Sequence, residues 1–264
     1  MAAITLARSA VVQELADIVR NAATAALGFY ESEFSVRTKH DASLVTDADE
    51  AVEAALINAL RRFNSDVPIV SEEMVSRGEC QWRGGDEMPD RYWLVDPIDG
   101  TRGFVAHTGE FTVNVALVDN RRPVIGIVHQ PLTGITWTGA GPNTAMEWRP
   151  GSRARSIRVR PAPARGITVV SSRHHGDQDA LSALLSDYRV AEHKLIGSAV
   201  KLCMSASGEA DLYPRLGRTL EWDTAAGHAV LEAAGGKVMT LSGQPLFYGK
   251  PAFENPDFIA KGAW

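Results

Sequence analysis

Residues 111–139 read FTVNVALVDNRRPVIGIVHQPLTGITWTG. Three runs rich in β-branched and aromatic residues are divided by NRRP and PLTG, each just long enough to reverse the chain. Strands joined by turns this short pair antiparallel, so the first half of the chain is expected to be built around an antiparallel sheet. VPIVS (67–71) and YWLVD (92–96) have the same character and are expected to join it. Two helices precede them. Val11, Leu15, Ile18, Ala22, Ala25 and Phe29 recur in steps of four and three, which gives one apolar face. A second helix is predicted from about Thr46 to Phe63, burying Ala48, Val52, Ala55, Ala59 and Phe63. The intervening KHDASLVTDAD is polar and turn-prone.

The second half has a different grammar. PGSRARSIRVRPAPAR (150–165) is rich in proline, glycine and arginine and marks a boundary. Beyond it, strands and helices alternate: ITVVS, a helix over 177–189, HKLIG, a helix over 198–207 closed by Gly208, ADLYPRL, a helix over 223–234 closed by Gly235 and Gly236, and KVMTL. That is α/β order. The chain of 264 residues is long enough for one large domain or two modest ones sharing a core. Two lobes are expected, 1–155 (α+β) and 156–264 (α/β), with a cleft between them. No internal repeat is present.

A net charge of −5 argues against binding a nucleic-acid polymer, which favours a basic excess. Local cations or metal ions can still make one pocket attractive to a small anion. Cys80 and Cys203 form no CxxC pattern, so neither a disulfide framework nor a zinc knuckle is expected. The N-terminal stretch MAAITLARSAVVQEL lacks the apolar block of a secretory signal. No run reaches the length of a membrane span. A cytoplasmic protein is the expectation.

RYWLVDPIDGTRGF (91–104) carries the sharpest functional signal. Asp96 and Asp99 follow an apolar strand and flank a proline. Side chains three apart in a strand diverge, unless the chain bends. Pro97 fixes its own φ and Gly100 relaxes the backbone after it, so a bend there would bring both carboxylates, and the Ile98 carbonyl, to one point. Converging hard oxygens suit Mg²⁺. An ordinary turn explains the hexapeptide alone equally well. Other acids sit at element ends: Glu72 and Glu73 after VPIVS, Asp47 and Asp49 opening the second helix, and Asp223 after Glu221 and Trp222. Singly, each reads as a helix cap or a solvated acid. Together they would make a cleft that repels itself without cations.

DPIDGT at 96–101, SEE at 71–73, VTDAD at 45–49 and WDTAAG at 222–227 resemble, in this order, the motifs of the inositol monophosphatase superfamily of Mg²⁺-dependent, often lithium-sensitive phosphomonoesterases. GEFTVNVAL (109–117), the pair Ser172-Arg173, GSAVKLC (197–203) and ADLYPRLG (210–217) are similar to the CysQ-type 3'(2'),5'-bisphosphate nucleotidases within it. The resemblance implies a layered αβαβα sandwich with the active site between two lobes. It implies two or three Mg²⁺ ions on Glu72, Asp96, the Ile98 carbonyl, Asp99 and Asp223, and a water oriented by Asp49 and Thr101. By register Asp49, rather than the extra acid Asp47, matches the family aspartate. The implied substrate is adenosine 3',5'-bisphosphate, cleaved to AMP and phosphate. Gly100, Thr101, Arg102, Ser172, Ser198, Lys201 and Arg215 are the implied substrate contacts, and a monomer, at most loosely associated with the inner membrane face, is the implied state. Read without the resemblance, Lys201 would be a solvated helix cation and Arg215 a loop arginine. Arg173, His174 and His175 are expected at the same pocket wall or at the surface. Relatives acting on inositol, histidinol or sugar phosphates share the core motifs. A non-catalytic phosphate binder would be expected to have lost a ligand, and none is missing. The aspartyl-nucleophile phosphatases differ in their Asp-x-Asp spacing.

Overall fold

The computed structural model describes residues 2–39, 43–85, 87–173, 177–262 and 264. His174 and His175 lie outside the described residues, as do 40–42 of the stretch read as a turn. Helix α1 (Ala2–Tyr30) leads through two paired strands, β1 (Val36–Thr38) and β2 (Leu44–Thr46), into α2 (Asp47–Phe63). Strand β2 and the start of α2 thus lie inside the stretch expected to be a polar turn. Next come β3 (Ile69–Ser71), α3 (Glu72–Ser76), β4 (Arg91–Asp99), α4 (Thr101–Val105), β5 (Thr112–Asp119), β6 (Arg122–Gln130), β7 (Ile135–Gly139), β8 (Met146–Trp148) and β9 (Arg155–Ser156).

Strands β3 to β9 form one sheet in chain order. The meander expected from the short turns is there, antiparallel from β4 onward. The first pair departs from that expectation: β3 and β4 run parallel. The chain between them includes α3 and then residues 77–90, so no tight turn forces reversal. Alternation then sets the packing. Trp93 and Val95 of β4 join Leu15, Val19, Val52 and Leu56 of α1 and α2, while Tyr92 and Leu94 face the opposite cluster. A strand buried on both faces reads as an unbroken apolar run, which is how YWLV reads.

The second sheet is built from β10 (Ile167–Ser172), α5 (Gln178–Leu185), β11 (Val190–Ile196), α6 (Val200–Ala206), β12 (Leu212–Arg215), α7 (Glu221–Ala233), β13 (Lys237–Thr240) and β14 (Phe258–Lys261). Its order is β11-β10-β12-β14-β13. The first three strands are parallel, as α/β alternation requires, but β14 runs antiparallel between β12 and β13. Helices α6 and α7 are buried between the sheets, and α5 packs Leu184 and Leu185 on Ile167, Val169 and Leu212 at the far side. The layers are therefore α1/α2, sheet, α6/α7, sheet, α5: a layered αβαβα sandwich.

The seat of α7 matters most for function. Its inner face is small (Ala225, Ala226, Ala229, Ala233), all nearly inaccessible. A Cβ on Gly126 of β6 would stand 2.1 Å from the Ala226 carbonyl oxygen. Helix backbone thus lies almost directly on the sheet, and the first turn of α7 comes to the end of β4. Among the described residues, no helix is long and apolar enough to cross a membrane.

Candidate active site

The two aspartates of DPIDG converge through a register shift. Asp96 of β4 is opposite Asn114 of β5, but Asp99 is opposite Thr112. Three steps on one strand meet two on the other, so β4 carries one extra residue, a bulge. That residue turns Asp99 back to the side of Asp96. The expected bend is therefore a bulge inside the strand, which runs on to Asp99 instead of stopping at Asp96. Gly100 follows with φ +97°, and a Cβ there would lie 2.6 Å from the Glu110 carbonyl oxygen. Only glycine makes this turn without strain.

Asp223, third residue of α7, completes the group. Its Oδ2 accepts the Leu220 amide at 2.9 Å, which closes the first helical turn. One carboxylate oxygen each from Asp96, Asp99 and Asp223 lie within 4.8 Å of one another. Glu72, at the head of α3, lines the same cleft because β3 runs parallel to β4. Lys39 donates to Glu72 and Glu73 at 2.6 Å each.

The charges are held at a cost. Both carboxylate oxygens of Asp96 are buried and have no hydrogen-bond partner. Burial, then Glu72 and Asp99, push its pKa well above the ordinary range. Asp99 is raised chiefly by burial, which Lys201 opposes. Asp223 is pushed up to about 6 by burial and by Asp99, and Glu73 to about 8 by burial and Glu72. Unpaired buried carboxylates are unfavourable unless a cation joins them. The two unpartnered oxygens of Asp96, converging with Asp99 and Asp223, fit a hard divalent cation such as Mg²⁺, with Glu72 and the Ile98 carbonyl as further donors.

Asp49 and Thr101 stand beside this cluster. Asp49 is buried, and its Oδ2 accepts the amide and hydroxyl of Thr46 at 2.7 and 2.6 Å. Its Oδ1 lies 3.4 Å from Thr101 Oγ1, which is also 3.2 Å from the Ile98 carbonyl oxygen. Burial pushes Asp49 up to about 6, against the two Thr46 bonds. Asp47 points elsewhere, to the Ser35 amide and Arg37.

The opposite wall comes from α6, the turn before it and β12. Lys201 is buried and donates to the Ser198 and Ile196 carbonyls at 2.6 and 3.2 Å. Burial pulls its pKa down to about 8, with Asp99 opposing. The plain reading of Lys201 does not survive, nor does that of Arg215: Lys201 is no solvated helix cation, and Arg215 is buried on β12. Arg215 spends Nη2 on the Arg218 carbonyl and leaves Nε without a partner. Ser198 sits at φ +54° with its hydroxyl buried and unpartnered. Glu72, Asp96, Ile98, Asp99, Gly100, Thr101, Arg102, Ser172, Ser198, Lys201, Arg215 and Asp223 all line one cleft of about 380 Å³. Asp49 stands behind Thr101 rather than on the surface of the cleft. Arg173 reaches Glu110 at the rim.

Three residues near the cleft were not singled out from the sequence. Tyr213 shares a strand face with Arg215, so period-two alternation could have found it. Glu110 belongs to the GEFTVN stretch, which stands out for its resemblance only. Lys39 carries no signal, because its partners are 33 and 34 residues away.

The family model of the inositol monophosphatase family matches residues 2–261. The chain is 39% identical, over 257 residues covering 94% of it and 98% of the relative, to the 3'(2'),5'-bisphosphate nucleotidase CysQ of Escherichia coli (strain K12). It is also similar to the crystal structure of CysQ from Bacteroides thetaiotaomicron, with TM-score 0.78 and 30% identity over 96% of this chain and 97% of that one. The inositol monophosphatase from Anabaena shares the fold, with TM-score 0.73 and 24% identity over 97% and 92%.

Proposed function

The chain belongs to the inositol monophosphatase family, and on that premise we propose that it hydrolyses the 3'-phosphate of adenosine 3',5'-bisphosphate, giving AMP and phosphate. The observation that carries this reading is the division of charge across one cleft. Asp96, with both oxygens unpartnered, converges with Asp99 and Asp223 on one side, and buried cations, Lys201 and Arg215, line the other. A substrate with two phosphates matches both. The relatives named 3'(2'),5'-bisphosphate nucleotidase support the same choice.

Two or three Mg²⁺ ions, held by Glu72, Asp96, the Ile98 carbonyl, Asp99 and Asp223, would supply a water of lowered pKa and neutralise the phosphate. Thr101 accepts a hydrogen bond from the attacking water and donates its own hydroxyl proton toward Asp49. A carboxylate raised to about 6 is poised to take up a proton near neutral pH. The backbone amides at Gly100 and Thr101 orient the transferring group. The water proton leaves through Thr101 to Asp49, and the departing ribose oxygen takes a proton from solvent water as the bond breaks. No side chain is required as a covalent nucleophile. Lys201, Arg215 and Ser198 hold the 5' end of the nucleotide, while Ser172 and Arg102 close the sides. The working unit we propose is a monomer, with the lobes 1–155 and 156–264 both lining the cleft.

The test is kcat/KM on adenosine 3',5'-bisphosphate beside inositol 1-phosphate, both with Mg²⁺. Preference for the nucleotide by more than about tenfold, or 1.4 kcal/mol, is expected. Preference for inositol 1-phosphate would remove the proposed substrate and leave the acidic site standing.

A further inference from the structure

Glu110 is an acid in a cleft built for an anion. It stands between α4 and β5, and its carboxylate leaves the first sheet for the second. Oε1 accepts Arg173 Nη2 at 2.7 Å, while Oε2 accepts Arg173 Nε at 3.2 Å and the Gly197 amide at 3.0 Å. Arg173 Nη2 also donates to the Leu195 carbonyl at 2.8 Å. Charge-assisted, two-toothed pairs of this kind fix geometry as well as contributing energy. The packing around Glu110 is tight. A Cβ on Gly197 would stand 2.8 Å from Glu110 Cβ, and one on Gly100 would stand 2.6 Å from its carbonyl oxygen. One residue therefore touches the turn after the paired aspartates and the turn that begins the opposite wall. The next residue, Ser198, is held at positive φ, and its carbonyl receives Lys201.

The carboxylate is already satisfied by Arg173 and Gly197, so its role is mechanical. We propose that Glu110 is a specificity-determining positioning residue: with Arg173 it clasps the turn over 197–198, which presents Ser198 and Lys201, and so makes the cleft prefer a substrate carrying a second phosphate. This inference rests on the proposed substrate. It assigns Arg173 a structural partner at the rim, and no direct contact with the nucleotide.

The experiment compares Glu110→Gln and Arg173→Ala with wild type on adenosine 3',5'-bisphosphate and on adenosine 3'-phosphate, which lacks the second phosphate. Glutamine keeps the shape and loses the charge. For the bisphosphate, KM should rise about tenfold while kcat stays within about twofold, and KM for adenosine 3'-phosphate should move by less than about threefold. The double variant should be little worse than either single one, because both break the same clasp. Arg173 is exposed at the rim, so Arg173→Ala carries the test even if Glu110→Gln folds poorly. Three results overturn the inference: equal KM increases on both substrates, unchanged KM in both variants, or a lower KM in Glu110→Gln, which would mean that the freed Arg173 binds phosphate itself. A wild type without preference for the bisphosphate removes the substrate reading together with this one. A wild-type preference that persists in both variants removes this one alone.

Discussion

Replacing Asp223 with asparagine separates what the acidic cluster does to the fold from what it does in the reaction. Burial and Asp99 raise the folded-state pKa of Asp223 from 3.8 to about 6. A carboxylate raised in this way destabilises the folded state once it is charged. The penalty is absent below the unfolded value, grows between the two values, and is complete above about 6. Two units at 1.36 kcal/mol each give about 3 kcal/mol. The carboxylate faces the cleft, and solvent screening trims this to about 2 kcal/mol. Asparagine keeps an oxygen for the Leu220 amide and drops the charge. With an unfolding entropy of about 2.1 cal/mol/K per residue, 264 residues give a Tm gain of about 4 °C. The assay is scanning calorimetry in chelator near pH 7.5 and near pH 4. Asp223→Asn should melt about 4 °C above wild type at the higher pH and within about 1 °C of it at the lower. Adding Mg²⁺ near pH 7.5 should raise the Tm of wild type by clearly more than that of Asp223→Asn, because a ligand that binds only the folded state raises its stability. An Asp223→Asn protein that melts at or below wild type in chelator near pH 7.5, or a gain that persists near pH 4, would refute the electrostatic reasoning.

Other outcomes follow from the same geometry. Asp49→Asn and Thr101→Val should each lower kcat by about 10²- to 10⁴-fold with little change in KM, checked by steady-state kinetics. Lys201→Met, which keeps the buried stem, should raise KM for adenosine 3',5'-bisphosphate about tenfold and leave KM for adenosine 3'-phosphate much less affected. Gly126→Ala should destabilise by about 2–3 kcal/mol in urea unfolding, because its methyl would meet the Ala226 carbonyl oxygen at 2.1 Å. The same substitution should weaken Mg²⁺ binding by calorimetry, since α7 carries Asp223.

What the sequence made legible was local. Three strands around NRRP and PLTG announced the meander, and YWLVD announced a further strand. The acids at element ends could be named singly. The convergence of Asp96 and Asp99 was expected from a bend at Pro97, but its means was not legible, because the bulge that aligns them depends on the register of β5. Strand β14 is four residues long and follows Asn-Pro-Asp; its partners, 212–215 and 237–240, are far off in the chain. The parallel pairing of β3 hung on the long connection to β4 rather than on either strand. Lys201 and Arg215 look like surface cations in one dimension. Their burial comes from the sheet and helix that close over them.

The central claim is that the acidic cluster works on a phosphomonoester through bound metal. The most direct test is phosphate release from adenosine 3',5'-bisphosphate in chelator, then with Mg²⁺ added back stepwise, for wild type and Asp99→Asn. Release should be absent in chelator, should rise to saturation with Mg²⁺ in wild type, and should stay near zero in folded Asp99→Asn. Turnover that persists in chelator, or an Asp99→Asn enzyme that responds to Mg²⁺ like wild type, would contradict it.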